Sequence, residues 1–111
     1  MTNPTELVLN YLQQRDYVRE EFAGPNPPFI LLEVQDDDEI EGRREVAFEI
    51  TLAAPNAERT DYALVALNRA FMHSEPSFRS WLEWSRNVAL NDFGPYRSKT
   101  GTLHIRLPKG N

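Results

Sequence analysis

Apolar and polar positions alternate from Glu45 to Ala53, with only the small Ala47 and Ala53 apolar on the polar side: Val46, Phe48, Ile50 and Leu52 share one parity, while Glu45, Glu49 and Thr51 share the other. A period of two with one apolar side predicts a β-strand that has one wet face. Phe29 to Val34 is a shorter, nearly continuous apolar run between a proline cluster and an acidic block, and it predicts a buried strand pairing antiparallel with the first. The connection Gln35 to Arg44 is longer than a tight hairpin needs and has Gly42 as its one permissive backbone position, so it is expected to project as a mobile acidic arm. Leu103, Ile105 and Leu107 alternate with His104 and Arg106, which predicts a last half-buried strand closed by Pro108.

Helical spacing appears in three places. "NPTELVLNYLQQRDYVREEF" opens with Asn3 as a cap, Pro4 at the first helical position and Glu6 in the first turn. Val8, Tyr11, Leu12, Val18 and Phe22 follow near one stripe, so a helix should reach between Gln14 and Glu21, before Gly24 and the prolines end it. A turn at Pro55 and Asn56 leads into a second helix in which Leu64, Leu67 and Phe71 are spaced to pack on the sheet. From Pro76, "PSFRSWLEWSRNVAL" reads as a third, burying Phe78, Trp81, Leu82 and Val88. "NDFGPYRSKTG" favours turns. The expected order is helix, strand, strand, helix, helix, strand (α-β-β-α-α-β): one α+β domain over residues 1–111, helices covering one face of a mostly antiparallel sheet, with the acidic arm at 35–44.

Composition adds limits. The chain has 111 residues, 41% of them apolar and 26% charged, which is enough for one core and argues against wholesale disorder. Cysteine is absent, so disulfides, thiolate nucleophiles and cysteine metal sites are excluded. "MTNPTELVLN" lacks a basic segment followed by an apolar one, and no apolar run approaches the roughly 20 residues that cross a bilayer, so release into the cytosol with no membrane partner is expected.

The net charge of −5 opposes general attraction to nucleic acid. Its distribution is uneven. Glu33, Asp36, Asp37, Asp38, Glu39, Glu41, Glu45 and Glu49 crowd the middle, and Arg79, Arg86, Arg97, Lys99, Arg106 and Lys109 dominate the final third. Two readings stay open: complementary surfaces for head-to-tail contact between identical subunits, or an ordinary solvated acidic loop and scattered surface bases.

Candidate chemistry is sparse. "DDDEIEG" departs from a calcium loop, because Ile40 stands where the third ligand belongs and Gly42 comes one residue late, so no metal site is expected. His73 falls near a helix C-terminus, where a cation is mildly favoured. His104 shares a strand face with Arg106 near the loop carrying Tyr96, Arg97 and Lys99, a set compatible in principle with metal-independent RNA cleavage. The overall charge opposes an RNA substrate, and a solvated polar strand face is the simpler reading. Trp81 and Trp84 read most simply as core, with one of them alternatively at a subunit contact. There is no phosphate-binding glycine loop and no nucleophile–base set, so no cofactor and no enzymatic activity are expected.

Taken with their order and spacing, the "TELVLNYL" helix, "PPFILLEV", "DDDEIEG", "RREVAFEITLAAPNAERTDYALVALNRAF" and the closing "TGTLHIRLPKG" cover nearly the whole chain. In this arrangement the chain resembles the tail terminator proteins of long-tailed, siphovirus-like bacteriophages, and the related neck or head–tail joining proteins. The resemblance implies a structural virion protein: a homohexameric ring that caps the tail tube, ends tail polymerisation and joins tail to head. The implied partners are copies of itself, the tail tube protein and a neck or connector protein, with DNA passing the channel without specific binding. The implied place is the tail–neck junction of the virion, after assembly in the host cytoplasm. The family has no catalytic residues to carry over. Under this reading Asp36, Asp37, Asp38, Glu39, Glu41, Arg43, Arg44, Arg97 and Lys99 are the interface or channel candidates, the acidic arm either rimming the channel or docking on a tail or neck partner. The alternative is a small acidic inhibitor or immunity protein that binds a basic enzyme.

Overall fold

Asn3 caps the first helix: its Oδ1 accepts from the Thr5 N–H at 2.9 Å, and Pro4 opens the first turn. The computed structural model describes residues 3–22, 28–72, 79–85, 90–93 and 96–107. The expectations placed on 23–27, on 73–78 with His73, on 86–89 with Arg86 and Val88, on 94–95 and on 108–111 with Lys109 lie outside the described residues. Helix α1 (Pro4–Gln13) buries Val8, Tyr11 and Leu12. It stops earlier than the apolar stripe suggests, because Arg15 adopts an extended backbone (φ −107°, ψ 117°) and a separate short helix, α2 (Asp16–Glu21), follows. The Arg15 side chain folds back on α1, donating from Nη1 to the Tyr11 carbonyl at 3.2 Å and placing its guanidinium carbon 3.6 Å from the Tyr11 ring centre. A carbonyl of the last turn thereby gains a partner, and after the break Val18 is buried.

The sheet is antiparallel and five-stranded. Its strands are β1 (Phe29–Ile40), β2 (Arg43–Ala54), β3 (Arg79–Trp84), β4 (Leu90–Phe93) and β5 (Tyr96–Leu107), in the order β1-β2-β5-β3, with β4 pairing the remaining length of β5. Helix α3 (Ala57–Met72) lies between β2 and β3 in sequence. Asn56 caps it, its Oδ1 accepting from the Arg59 N–H at 2.8 Å. Val46, Phe48, Ile50 and Leu52 of β2 and Leu103, Ile105 and Leu107 of β5 form one core with Val8, Tyr11, Leu12 and Val18 of the N-terminal helices and Ala63, Leu67, Ala70 and Phe71 of α3. The helices thus cover one face, and the architecture is α+β as the alternation predicts. The element order is corrected to α-α-β-β-α-β-β-β.

Three expectations change. First, the segment read as a third helix is a strand over Arg79–Trp84, with Ser80, Leu82 and Trp84 turned toward the core and Trp81 outward, since it stands opposite His104. Ser80 broke the apolar alternation that would have shown it. Its burial is compensated: Oγ donates to the Phe71 carbonyl at 2.8 Å, at the end of α3 where carbonyls lack intrahelical partners. Trp84 likewise donates from Nε1 to Asn68 Oδ1 at 2.9 Å. Second, much of the turn-like "NDFGPYRSKTG" joins β4 and β5, extending the last strand back to Tyr96.

Third, residues 35–44 form no free arm. β1 continues to Ile40 and meets β2 at Arg43 through a two-residue turn at Glu41 and Gly42, both at positive φ (50° and 79°), the geometry that matches the twist of a tight hairpin. Mutual repulsion of the carboxylates is offset in part at Asp37, which pairs with Arg44 across the strands. A bulge between Val34 and Asp36 shifts the register, so that Asp36 stands opposite Ala47 and Asp38 opposite Glu45, on the face away from the helices. Asp37 and Glu39 stand opposite Val46 and Arg44 on the helix side. β1 is an edge strand, and its carboxylates discourage another strand from adding to it.

Candidate interaction surfaces on the sheet

The helix-free face can be laid out from the strand register. One cross-strand row runs Asp36, Ala47, His104, Trp81, and the next runs Asp38, Glu45, Arg106, Arg79. Trp81 and His104 stack with ring centres 4.9 Å apart at 10°. Arg106 donates from Nε to Glu45 Oε1 at 2.8 Å, and its guanidinium carbon lies 5.8 Å from the Trp81 ring centre. His104 Nε2 stands 3.8 Å from Glu83 Oε2. Ala47, the small residue in its row, leaves a depression of about 240 Å³ bordered by Asp36, Asp38, Glu45, Trp81, His104 and Arg106.

His104 and Arg106 do share this face, as the alternation indicates. Arg97 and Lys99 do not join them. Both lie on the other parity of β5, opposite Ala54 and Leu52, and Arg97 is seven positions from His104, about 23 Å along a strand at roughly 3.3 Å per residue. The set considered for RNA cleavage is therefore dispersed. Trp81 is the residue that sequence reasoning misplaced: at 38% exposure it is a surface aromatic, while Trp84 packs against the core. Its signal was the alternation Ser80, Leu82, Trp84 against Arg79, Trp81, Glu83.

The other candidates divide between the two ends of the sheet. Glu41 forms the hairpin turn, and Arg43 is exposed beside it, opposite Ile40. Arg44 grips Asp37 with both arms, Nε to Oδ1 at 2.8 Å and Nη2 to Oδ2 at 2.5 Å. The guanidinium hydrogen bond holds the Asp37 carboxyl below its ordinary value of 3.8 and, reciprocally, raises the Arg44 pKa. A depressed folded-state pKa contributes stability above the ordinary carboxylate range that is lost as pH falls through the folded value. Carbon-detected NMR titration is expected to place Asp37 below 3.8 in the wild type and to return it toward that value in Arg44→Ala. The stability difference between the two proteins, about 0.2–1 kcal/mol for a partly exposed pair, should be present at neutral pH and vanish in acid. A carboxyl titrating at its ordinary value would show that the bidentate pair does not persist in solution.

Among the described residues, no three His, Asp or Glu side chains converge to hold a metal ion, and no helix is long and apolar enough to cross a membrane. A larger groove of about 510 Å³ between α1, α2 and the start of β1 is walled mainly by Leu9, Leu12, Val18, Phe22, Phe29 and Ile30, and it gathers no acid–base group. The outer side of α3 leaves Tyr62, Val65 and Met72 at 56%, 65% and 71% exposure. No protein-family model matches the chain, and no curated protein sequence does either.

Proposed function

We propose that the chain is a structural ring-forming subunit of the tail-terminator kind, acting at the tail–neck junction of a long-tailed bacteriophage to cap the tail tube and receive the head. The observation that carries this reading is the polarity of the sheet. The acidic β1 edge and its hairpin turn lie toward one end of the β2–β5 ladder, where Arg43, Arg44, Arg79 and Arg106 offset part of their charge, and Arg97 and Lys99 lie toward the other. Two identical surfaces of this kind repel when placed face to face, whereas unlike surfaces attract when placed head to tail, and a head-to-tail contact closes into a ring when its rotation divides a full turn. The exposed Tyr62, Val65 and Met72 supply apolar area of the sort that carries affinity in such contacts. Carboxylates along the channel rim would keep the DNA backbone from adhering. The reading assigns the chain no reaction and no cofactor.

Native mass spectrometry over a range of concentrations, followed by electron microscopy with purified tail tubes, tests the proposal. Closed rings, six-fold under this reading, and tubes that stop growing are expected. A chain that neither closes into rings nor arrests tubes under any condition sinks it. One feature favours a second reading: the β1 carboxylates are displayed on a paired edge strand, a preorganised surface for a basic partner, as an acidic inhibitor would need. A tight one-to-one complex with a basic enzyme, without self-association, would establish that account instead.

A further inference from the structure

The subunit contact inferred from the open sheet face rests on the ring-forming reading. The Ala47 depression has Asp36 and Asp38 on its β1 side and the Trp81 indole on its β3 side. Glu45 is neutralised by Arg106 at 2.8 Å, but Asp36 and Asp38 form no ion pair among the described residues. These two carboxylates on the β1 margin make a seat for a guanidinium or ammonium group through charge-assisted hydrogen bonds, while His104, which stands between Ala47 and Trp81 in the row and is stacked on the indole, bounds the far side.

The matching cations are on the same chain and out of its own reach. Arg97 is exposed at the far end of β5 and, like Lys99, forms no ion pair among the described residues. The ladder holds Arg97 about 23 Å, and Lys99 about 17 Å, from the row that contains Asp36, at roughly 3.3 Å per residue. Neither can fold back into the depression without dismantling the sheet. We propose that the Ala47 depression of one subunit receives the Arg97–Lys99 end of β5 from a second copy of this chain, and that this is the head-to-tail contact of the ring. The bulge after Val34 gives the acidic block a division of labour: Asp36 and Asp38 face the neighbour, while Asp37 is held by Arg44 on the other side.

Charge exchange tests this on the full chain by sedimentation velocity at low salt, where screening is least. Asp36→Lys with Asp38→Lys, and separately Arg97→Glu with Lys99→Glu, should each weaken self-association by about tenfold or more, and all four changes together should restore it. Circular dichroism melts confirm that each variant folds. Because the chain has no native cysteine, Asp36→Cys combined with Arg97→Cys provides a second readout: oxidation should yield a ladder of covalent oligomers, since the two positions are too far apart to bridge within one subunit. Rings that form normally with either reversed pair, or a fourfold variant as weak as its parents and no covalent ladder, would overturn this contact while leaving the ring reading intact. A wild-type chain that stays monomeric, alone and on tail tubes, would remove both.

Discussion

Replacing Phe48 with alanine is expected to remove about 3–5 kcal/mol of folding stability, the largest single effect in the molecule. Phe48 is fully buried at the middle of β2, with Val34 beside it on β1, Leu103 on β5 and the helices packed over this face. Truncation loses the transfer free energy of the ring and leaves a hole that a sheet hydrogen-bonded on both sides closes only in part. Against a total of about 5–15 kcal/mol for a domain, such a loss leaves the variant marginal at room temperature. Urea unfolding followed by far-ultraviolet circular dichroism reads it directly. Trp81→Ala is the internal comparison: although larger, Trp81 lies on the open face, and its removal should cost about 1 kcal/mol or less while weakening self-association. Equal losses at the two positions would mean that the assignment of buried and open faces is wrong.

The second large effect is at Gly101, where local propensity and tertiary packing predict opposite signs. Glycine in a strand interior is disfavoured by about 0.5–1 kcal/mol relative to alanine, so a purely local argument expects Gly101→Ala to stabilise β5. In the fold, a Cβ at this position would lie 2.7 Å from the Glu83 carbonyl oxygen and 2.8 Å from Trp84 Cε3. One contact is with backbone of the neighbouring strand, and the other is with an indole held by Asn68, so neither gives way freely. Gly101→Ala should therefore destabilise by about 1–3 kcal/mol, and Gly101→Val by more. Trp84→Leu in the Gly101→Ala background should recover part of the loss, which a double-mutant cycle detects as coupling. A neutral or stabilising Gly101→Ala would show that β3 does not press against β5 as described.

How much of this was legible depended on whether a residue's role is decided by its neighbours in sequence. The alternation from Val46 to Leu52 needed no partner to be read, because a strand with one wet face writes its period directly into side-chain polarity. The same holds for Leu103, Ile105 and Leu107, for the Asn3–Pro4 helix start and for the Asn56 turn, since caps act within a few residues. The α+β class and the shared face of His104 and Arg106 followed from these. At Ser80 the sequence signal failed, because a hydroxyl in an inward position is acceptable only if a distant acceptor awaits it, and the Phe71 carbonyl at the end of α3 is that acceptor. Trp81, beside it, then counted as core when it belongs to the surface.

The acidic block failed for a related reason. Charge repulsion is visible in the sequence, whereas its compensation by Arg44, the two positive-φ turn residues and the bulge at Gln35 depends on pairing between strands. The meeting of Asp36, Ala47, His104 and Trp81 in one row was likewise beyond the sequence, because four strands contribute one residue each and only their mutual register sets which four. By itself the sequence determined the periodic elements, the caps, the class of fold and the lopsided charge, all of which act over a turn or two of chain. The tertiary structure decided the identity of β3, the ordering of the acidic strand and the make-up of the open face, because each depends on hydrogen bonds or packing between residues far apart in the chain.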